Sequence, residues 1–356
     1  MGEAIVDVVI IGGGQSALAC AYFLRRENIN FIILDENTSP GGAWNKTWDS
    51  LKLFSPKEYS SLPGWMMPPT QDTYPTRSEI IHYLTEYEKR YAFEIKRPVQ
   101  VKSVQFRDEL FYLETSKGQI LTKALVSATG NWSNPFIPNY QGMSEFRGSQ
   151  IHSAQYQNPD VFSGKRVLIV GGGNSAAQIL SEVSKVAQTF WVTKEAPAFL
   201  PDDVDGRYLF NLATRKYQAM LKGEVLADAH DLAKIVMLDA VKDARQRGVL
   251  TALAPFDHLN SDSVVWADGR EEKIDAIIWC TGFRPSLSHL LPLSLMDSES
   301  GAIQTSGPHS LKYPGLWFMG YGDWAGFAAA TLIGVQRWAK LTASEIKAFL
   351  SERSSS

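Results

Sequence analysis

Two loops, GGGQSA at 12–17 and GGGNSA at 171–176, constrain this chain more than any other part of it. Each follows a short apolar run, IVDVVII (5–11) and RVLIV (166–170), and each leads into a helix-like stretch. Nearly uninterrupted apolar runs of that length read as strands buried on both faces, as in parallel sheets. In G-x-G-x-x-A the first glycine makes the strand-to-helix turn and the second lets backbone approach a pyrophosphate. The small last residue lets helix pack on strand. Those positions are Gly12, Gly14 and Ala17, then Gly171, Gly173 and Ala176. Ordinary residue usage yields one such spacing by chance in roughly one chain in four. Two of them in matching strand–loop–helix settings point instead to two dinucleotide-binding units.

The strand after each loop indicates what each unit holds. FIIL (31–34) ends at Asp35, where an acidic side chain accepts hydrogen bonds from a ribose diol and repels a 2′-phosphate. The first unit therefore suits the adenosine half of FAD or NAD. TFWV (189–192) ends instead at Thr193 and Lys194, with Glu195 adjacent. A cation there accommodates a 2′-phosphate, although lysine is a point charge without arginine's fork. NADPH, or both nicotinamide cofactors, fits the second unit better than NADH alone.

At 356 residues the chain exceeds the usual size of one core. The fold class expected is α/β, with two Rossmann-like domains and the NAD(P)H domain inserted into the FAD domain. The boundaries read as 1–158 for the first part of the FAD domain, 159–285 for the NAD(P)H domain and 286–356 for the return. A partly helical insertion is expected near 201–260, and the Ser-rich end reads as frayed. A net charge of -3 gives no reason to expect nucleic acid or an anionic membrane as partner. No apolar run is long enough for a membrane span, and the N-terminus lacks a basic signal-peptide region. The only cysteines, Cys20 and Cys280, lie far apart in apolar segments. They read as structural thiols of a reducing cytoplasm, without the CxxC that dithiol chemistry uses. Asp202, Asp203 and Asp205 have no His or Cys partner and read as a solvated turn, so no metal is expected.

Just ahead of the second loop stands FRGSQIHSAQY (146–156). Its Phe146, Gly148, His152 and Tyr156 match the F-x-G-x-x-x-H-x-x-x-aromatic fingerprint, and the stretch resembles that of class B flavoprotein monooxygenases, the flavin-containing and Baeyer–Villiger group. The resemblance spans most of the chain: GGAW (41–44), SATG (127–130) and CTGFRP (280–285) are similar to further family motifs. SPGGAW, DDVDGR, GYGDW and ATLIGV look most like a compact bacterial subgroup that tolerates NADH as well as NADPH.

The resemblance implies that FAD is held by Gly12, Gly14, Gln15, Ser16, Ala17, Asp35, Gly42, Trp44, Val101, Ala128, Thr129, Gly130, Gly322 and Asp323. It implies NAD(P)H on Gly171, Gly173, Asn174, Ser175, Ala176, Thr193 and Lys194, with His152 orienting the linker instead of reacting. A C4a-(hydro)peroxyflavin would pass oxygen from O2 to a small organic substrate, by sulfoxidation, N-oxidation or Baeyer–Villiger chemistry, and a homodimer is expected. LPGWMMPP (62–69) reads equally as a substrate-pocket wall or as core. One departure stands out: in SLKLFSPKE (50–58) Phe54 replaces a family asparagine that touches both cofactors. With Asp323, Phe54 is the residue expected next to the flavin, yet a phenyl ring donates no hydrogen bond. An NAD(P)H oxidase or carrier reductase on the same fold is therefore the alternative.

Overall fold

The computed structural model describes residues 5–224, 234–297, 300–326 and 328–354. The chain opens with β1 (Ile5–Ile11), α1 (Gln15–Arg26) and β2 (Phe31–Leu34), followed by α2 (Arg77–Tyr91), β3 (Ile95–Lys96), β4 (Val101–Arg107), β5 (Leu110–Thr115) and β6 (Gly118–Ser127). Next come β7 (Ser149–His152), β8 (Arg166–Val170), α3 (Asn174–Val183), β9 (Gln188–Val192), α4 (Gly206–Leu221), α5 (Asp239–Gln246) and β10 (Ala252–Leu253). The strands β11 (His258–Leu259), β12 (Ser263–Val265), β13 (Glu271–Lys273) and β14 (Ala276–Trp279) complete the middle. The chain closes with β15 (Thr305–Ser306), β16 (His309–Ser310), β17 (Leu316–Phe318) and α6 (Val335–Ser354).

Two compact units result. The first comprises Met1–Asn45, Pro56–Ser133 and Pro285–Ser356; the second comprises Lys46–Ser55 and Asn134–Arg284. The second unit thus starts at Asn134, earlier than 159, and recruits 46–55. The reason is pairing: β7, inside the FRGSQIHSAQY stretch, lies parallel to β14 with His152 opposite Trp279. The stretch from 201 to 260 holds α4 and α5 but also β10 and β11. Its residues 225–233 lie outside the described residues, as do the last two serines. The helix-like stretch after the second loop is α3, which ends at Val183.

In the first unit the sheet runs β15-β16-β17-β6-β1-β2-β3, with β5 also on β6 and β4 on β5. The apolar run of β1 is central, and Val8, Val9 and Ile10 are fully buried. Its last residue, Ile11, lies opposite Leu34 of β2 and Ser127 of β6, and Ser127 lies opposite Phe318 of β17. Four parallel strands therefore stop level, at the carboxyl edge where open α/β sheets bind ligands. The second unit repeats the arrangement with a five-stranded parallel sheet, β10-β9-β8-β14-β7. There Val170 lies opposite both Val192 and Trp279. No helix among the described residues is long and apolar enough to cross a membrane.

Candidate functional site

In the first unit Gly12 follows β1 at φ +105°, and a Cβ there would lie 2.5 Å from the Ala128 carbonyl oxygen. Both conformation and close packing demand glycine. Gly14 is different. Its φ of −86° suits any residue, and a Cβ built on it meets nothing within 4 Å. The protein itself gives no reason for glycine there; a ligand that must touch the backbone does. Gly14 also N-caps α1, which has no side-chain cap and no acidic residue in its first turn. By contrast α2 carries a full capping box between Thr76 and Glu79. The N–H groups of α1 are left for an anion, and a dinucleotide pyrophosphate fits them.

Other expected residues gather at the same edge. Gly42 sits so close that a Cβ on it would lie 2.8 Å from the Gly14 Cα. Trp44 donates from Nε1 to Gln15 Oε1 at 3.0 Å, and Gln15 Nε2 donates to the Ala330 carbonyl at 2.8 Å. Arg77 donates from Nε to the Trp44 carbonyl at 3.1 Å. Ser16 and Ala17 are buried, Ser16 beneath Gly320. Gly322 takes φ +97° and Asp323 is exposed on the turn after β17. Val101, at the start of β4, is half-buried and packs against the core cluster that also holds Ile11, Leu34 and Phe111.

The Ala128-Thr129-Gly130 turn is fastened by a buried polar network. The Tyr321 hydroxyl lies 2.6 Å from Ser127 Oγ and 2.7 Å from Thr129 Oγ1, and accepts from Thr129 N–H at 3.2 Å. The Thr129 hydroxyl donates to the Ser286 carbonyl at 2.6 Å. Tyr321 must therefore donate to Thr129, and Ser127 to Tyr321. Ser127 in turn accepts from His289 Nε2 at 3.1 Å, which places a proton on Nε2. Next along the chain, Asn131 Oδ1 is buried with no partner, an acceptor open to a ligand's donor.

Burial pulls the His289 pKa from 6.5 down to about 4. Between those values the unfolded chain binds a proton that the folded chain refuses, so stability is lost as pH falls from about 6.5 toward 4. The expected loss is about 3 kcal/mol, and a His289→Gln variant should lack that slope. Denaturant titrations at several pH values check this; equal slopes in both proteins would refute it.

The second unit repeats the loop geometry. Gly171 takes φ +137° with the Cys280 carbonyl oxygen 2.2 Å from a would-be Cβ. Gly173, at φ −102°, has nothing within 4 Å of a Cβ. It N-caps α3, which again lacks a side-chain cap and a first-turn acid. Asn174 Oδ1 accepts from Val236 N–H at 2.9 Å, and Ser175 is half-buried beside Ala176 in the first turn. Thr193 is buried, whereas Lys194 is exposed.

The fingerprint residues all hold this unit together. Phe146 packs with Leu168, Val170 and Trp279, and Gly148 leaves room for the Phe146 ring and the Asp275 carbonyl. Tyr156 donates to Glu182 at 2.9 Å. His152 Nδ1 accepts from Ala154 N–H at 3.1 Å, so Nε2 carries the proton it gives to the Gly282 carbonyl at 2.9 Å. Burial lowers its pKa. Both ring nitrogens are in use, which suits a tie and not an acid or base.

Phe54 stacks on Phe210 of α4, with centroids 6.5 Å apart and planes at 25°. Its carbonyl accepts from Gly206 N–H at 2.7 Å, and any side chain at 206 would strike it. Phe54 thus abuts the start of α4. The acidic turn is more than solvated: Asp202 pairs with Arg245, and the buried Asp205 accepts from Arg207 N–H at 2.9 Å. Among the described residues no cluster of His, Cys, Asp or Glu could hold a metal ion. Burial pushes both Cys20 and Cys280 up to about 12, so neither is a nucleophilic thiolate. In LPGWMMPP, Trp65 packs on Tyr83 while Met66 is exposed.

Comparison with known proteins agrees with this geometry. Residues 9–215 match the pyridine nucleotide-disulphide oxidoreductase family. The flavin-containing monooxygenase of Stenotrophomonas maltophilia is 47% identical with a TM-score of 0.89, covering 97% of this chain and 99% of its own. A CzcO-like oxidoreductase of Geobacillus kaustophilus is 30% identical over 93% of this chain and 95% of its own. The indole-3-pyruvate monooxygenase YUCCA6 of Arabidopsis thaliana is 27% identical over 96% of this chain and 90% of its own.

Proposed function

The chain belongs to the pyridine nucleotide-disulphide oxidoreductase family, as an enzyme of the flavin-containing monooxygenase kind that uses FAD and NADPH, and on that premise we propose that it oxygenates a small organic molecule. NADPH, a proton, O2 and a thioether, amine or ketone become NADP+, water and the oxygenated product. The observation that carries this reading is the pair of cradles above Gly14 and Gly173, open where only a ligand explains glycine. FAD is assigned to the first unit and NADPH to the second. When bound, FAD would supply the redox chemistry: two electrons from the nicotinamide would serve to activate O2, one oxygen atom going to the substrate and the other to water.

The protein's own part is placement. The N-terminal N–H groups of α1 and α3 meet the two pyrophosphates. Gln15 and Arg77 set Trp44, and the Tyr321 network sets the 128–130 turn. The cysteines argue against disulfide reduction, the other chemistry of this family. That reaction needs two exchanging thiols, and here Cys20 is buried and Cys280 half-buried, each with its pKa pushed up to about 12 by desolvation.

Phe54 favours a second reading, an NAD(P)H oxidase, because it stands where the resemblance expects an asparagine and a phenyl ring donates no hydrogen bond. Turnover under air with a thioether separates the two. In the monooxygenase, sulfoxide accounts for most of the NADPH consumed, and hydrogen peroxide rises when the thioether is omitted. Peroxide equal to NADPH whether or not thioether is present would sink the monooxygenase reading.

A further inference from the structure

We propose that Glu182 is a positioning residue: its carboxylate ties the tyrosine of the 146–156 fingerprint to the excursion 46–55, and that tie sets the rate at which NADPH reduces the flavin. The proposal rests on the assignment of FAD to the first unit and NADPH to the second. The chain passes between the units after Asn45, Ser55, Ser133 and Arg284. On the second unit's side the fingerprint reaches both sets of passages. Its His152 donates to the Gly282 carbonyl and lies edge-on to Phe283, with centroids 4.8 Å apart. That segment is bonded to the passage after Ser133. Phe136 N–H donates to the Gly282 carbonyl at 2.9 Å, and Arg284 N–H to the Asn134 carbonyl at 2.8 Å.

The other end of the fingerprint holds the excursion. Trp48 is buried and meets Tyr156 with centroids 6.4 Å apart, and Asp49 N–H donates to the Gln157 carbonyl at 2.9 Å. Glu182 closes the clamp with one oxygen for each side. Oε2 accepts from the Tyr156 hydroxyl at 2.9 Å, and Oε1 accepts from Ser50 Oγ. Burial, and after it the Glu182 charge, push the Tyr156 pKa up, so the phenol stays a donor. Arg247 steadies the helix there, donating to the Ser181 carbonyl and to Ser184 Oγ, each at 2.9 Å. Glu182 lies roughly 14 Å along α3 from Gly173 at 1.5 Å per residue, too far to touch a pyrophosphate on that loop. The excursion it holds begins two residues after Trp44, whose indole is bonded to Gln15 at the first cradle. Loosening the clamp therefore loosens chain that leaves the first cradle, and transfer between two bound groups is steeply sensitive to placement.

The test is anaerobic reduction of the holoenzyme by NADPH at increasing concentration. Flavin bleaching gives a saturating rate and a dissociation constant, and melting temperatures are taken alongside. Glu182→Ala should lower the saturating rate about tenfold and leave the dissociation constant within about twofold of the wild type. Ser50→Ala, at an exposed position, should lower the rate about threefold and shift the melting temperature by less than about 2 °C. Glu182→Gln, which keeps one acceptor oxygen, should recover most of the rate. A clamp serving stability alone would lower the melting temperature and leave the rate untouched. The proposal is overturned if either alanine variant is bleached at the wild-type saturating rate, or if the loss lies in NADPH affinity instead. Should Glu182→Ala fail to fold, Ser50→Ala decides alone. Gly173→Val tells a failure of the clamp from a failure of the underlying assignment. If it abolishes bleaching while the clamp variants match the wild type, NADPH still sits on the second loop and only Glu182 is wrong. If Gly173→Val is bleached like the wild type, the assignment falls and the proposal with it.

Discussion

A Gly14→Val variant is expected to fold and to purify without flavin colour. Gly14 has an extended backbone that valine adopts freely, and a Cβ there meets no protein atom within 4 Å. The cost to the FAD-free protein is therefore that of a poorer helix N-cap, about 1 kcal/mol. The space that valine fills is the space assigned to the pyrophosphate. Lost N–H contacts and a steric conflict together should weaken FAD by about a hundredfold or more. Gly173→Val makes the matching test in the second unit, where φ is −102° and the would-be Cβ again meets nothing. That protein should stay yellow, yet its flavin should no longer be bleached by NADPH without oxygen. The two variants must fail differently, one losing flavin and the other losing only the nicotinamide. A yellow Gly14→Val protein would sink the assignment of FAD to the first loop.

The contrast between Gly12 and Gly14 shows what sequence can and cannot say. Both loops and both flanking strands were legible because each depends on a local pattern: glycine spacing for the loops and apolar runs for β1 and β8. Which glycine serves the fold and which a ligand was not legible, since that depends on where the Ala128 and Cys280 carbonyls pass. Asp35 illustrates the limit more sharply. Spacing singles it out, but its partner Arg97 comes from beyond α2 in the chain, and no local pattern links them. The same holds for the Tyr321 network, assembled from the ends of β6 and β17 and from His289. A motif search sees GYGDW without seeing that the tyrosine fastens another strand's turn. The fingerprint was legible as a pattern and misleading as a boundary. Phe146 and His152 belong to the second unit's core, because β7 is the edge strand beside β14.

Replacing Lys194 by glutamate should invert the enzyme's choice between NADPH and NADH. Lys194 is exposed directly after the buried Thr193, two residues past the end of β9, where Val192 lies opposite Val170. In a dinucleotide-binding unit the residue at that place would meet the adenosine ribose and decide by charge whether a 2′-phosphate is welcome. Lysine attracts the phosphate as a point charge; glutamate repels it and accepts from a free diol instead. The expected result is a fall of about 30- to 100-fold in kcat/KM for NADPH, with NADH unchanged or improved. Because the contact is exposed, the wild-type preference for NADPH should also shrink as salt is raised, whereas NADH kinetics should not respond. Steady-state NADPH and NADH kinetics at two ionic strengths measure both effects. Equal losses with the two cofactors would mean that Lys194 supports the loop without reading the phosphate.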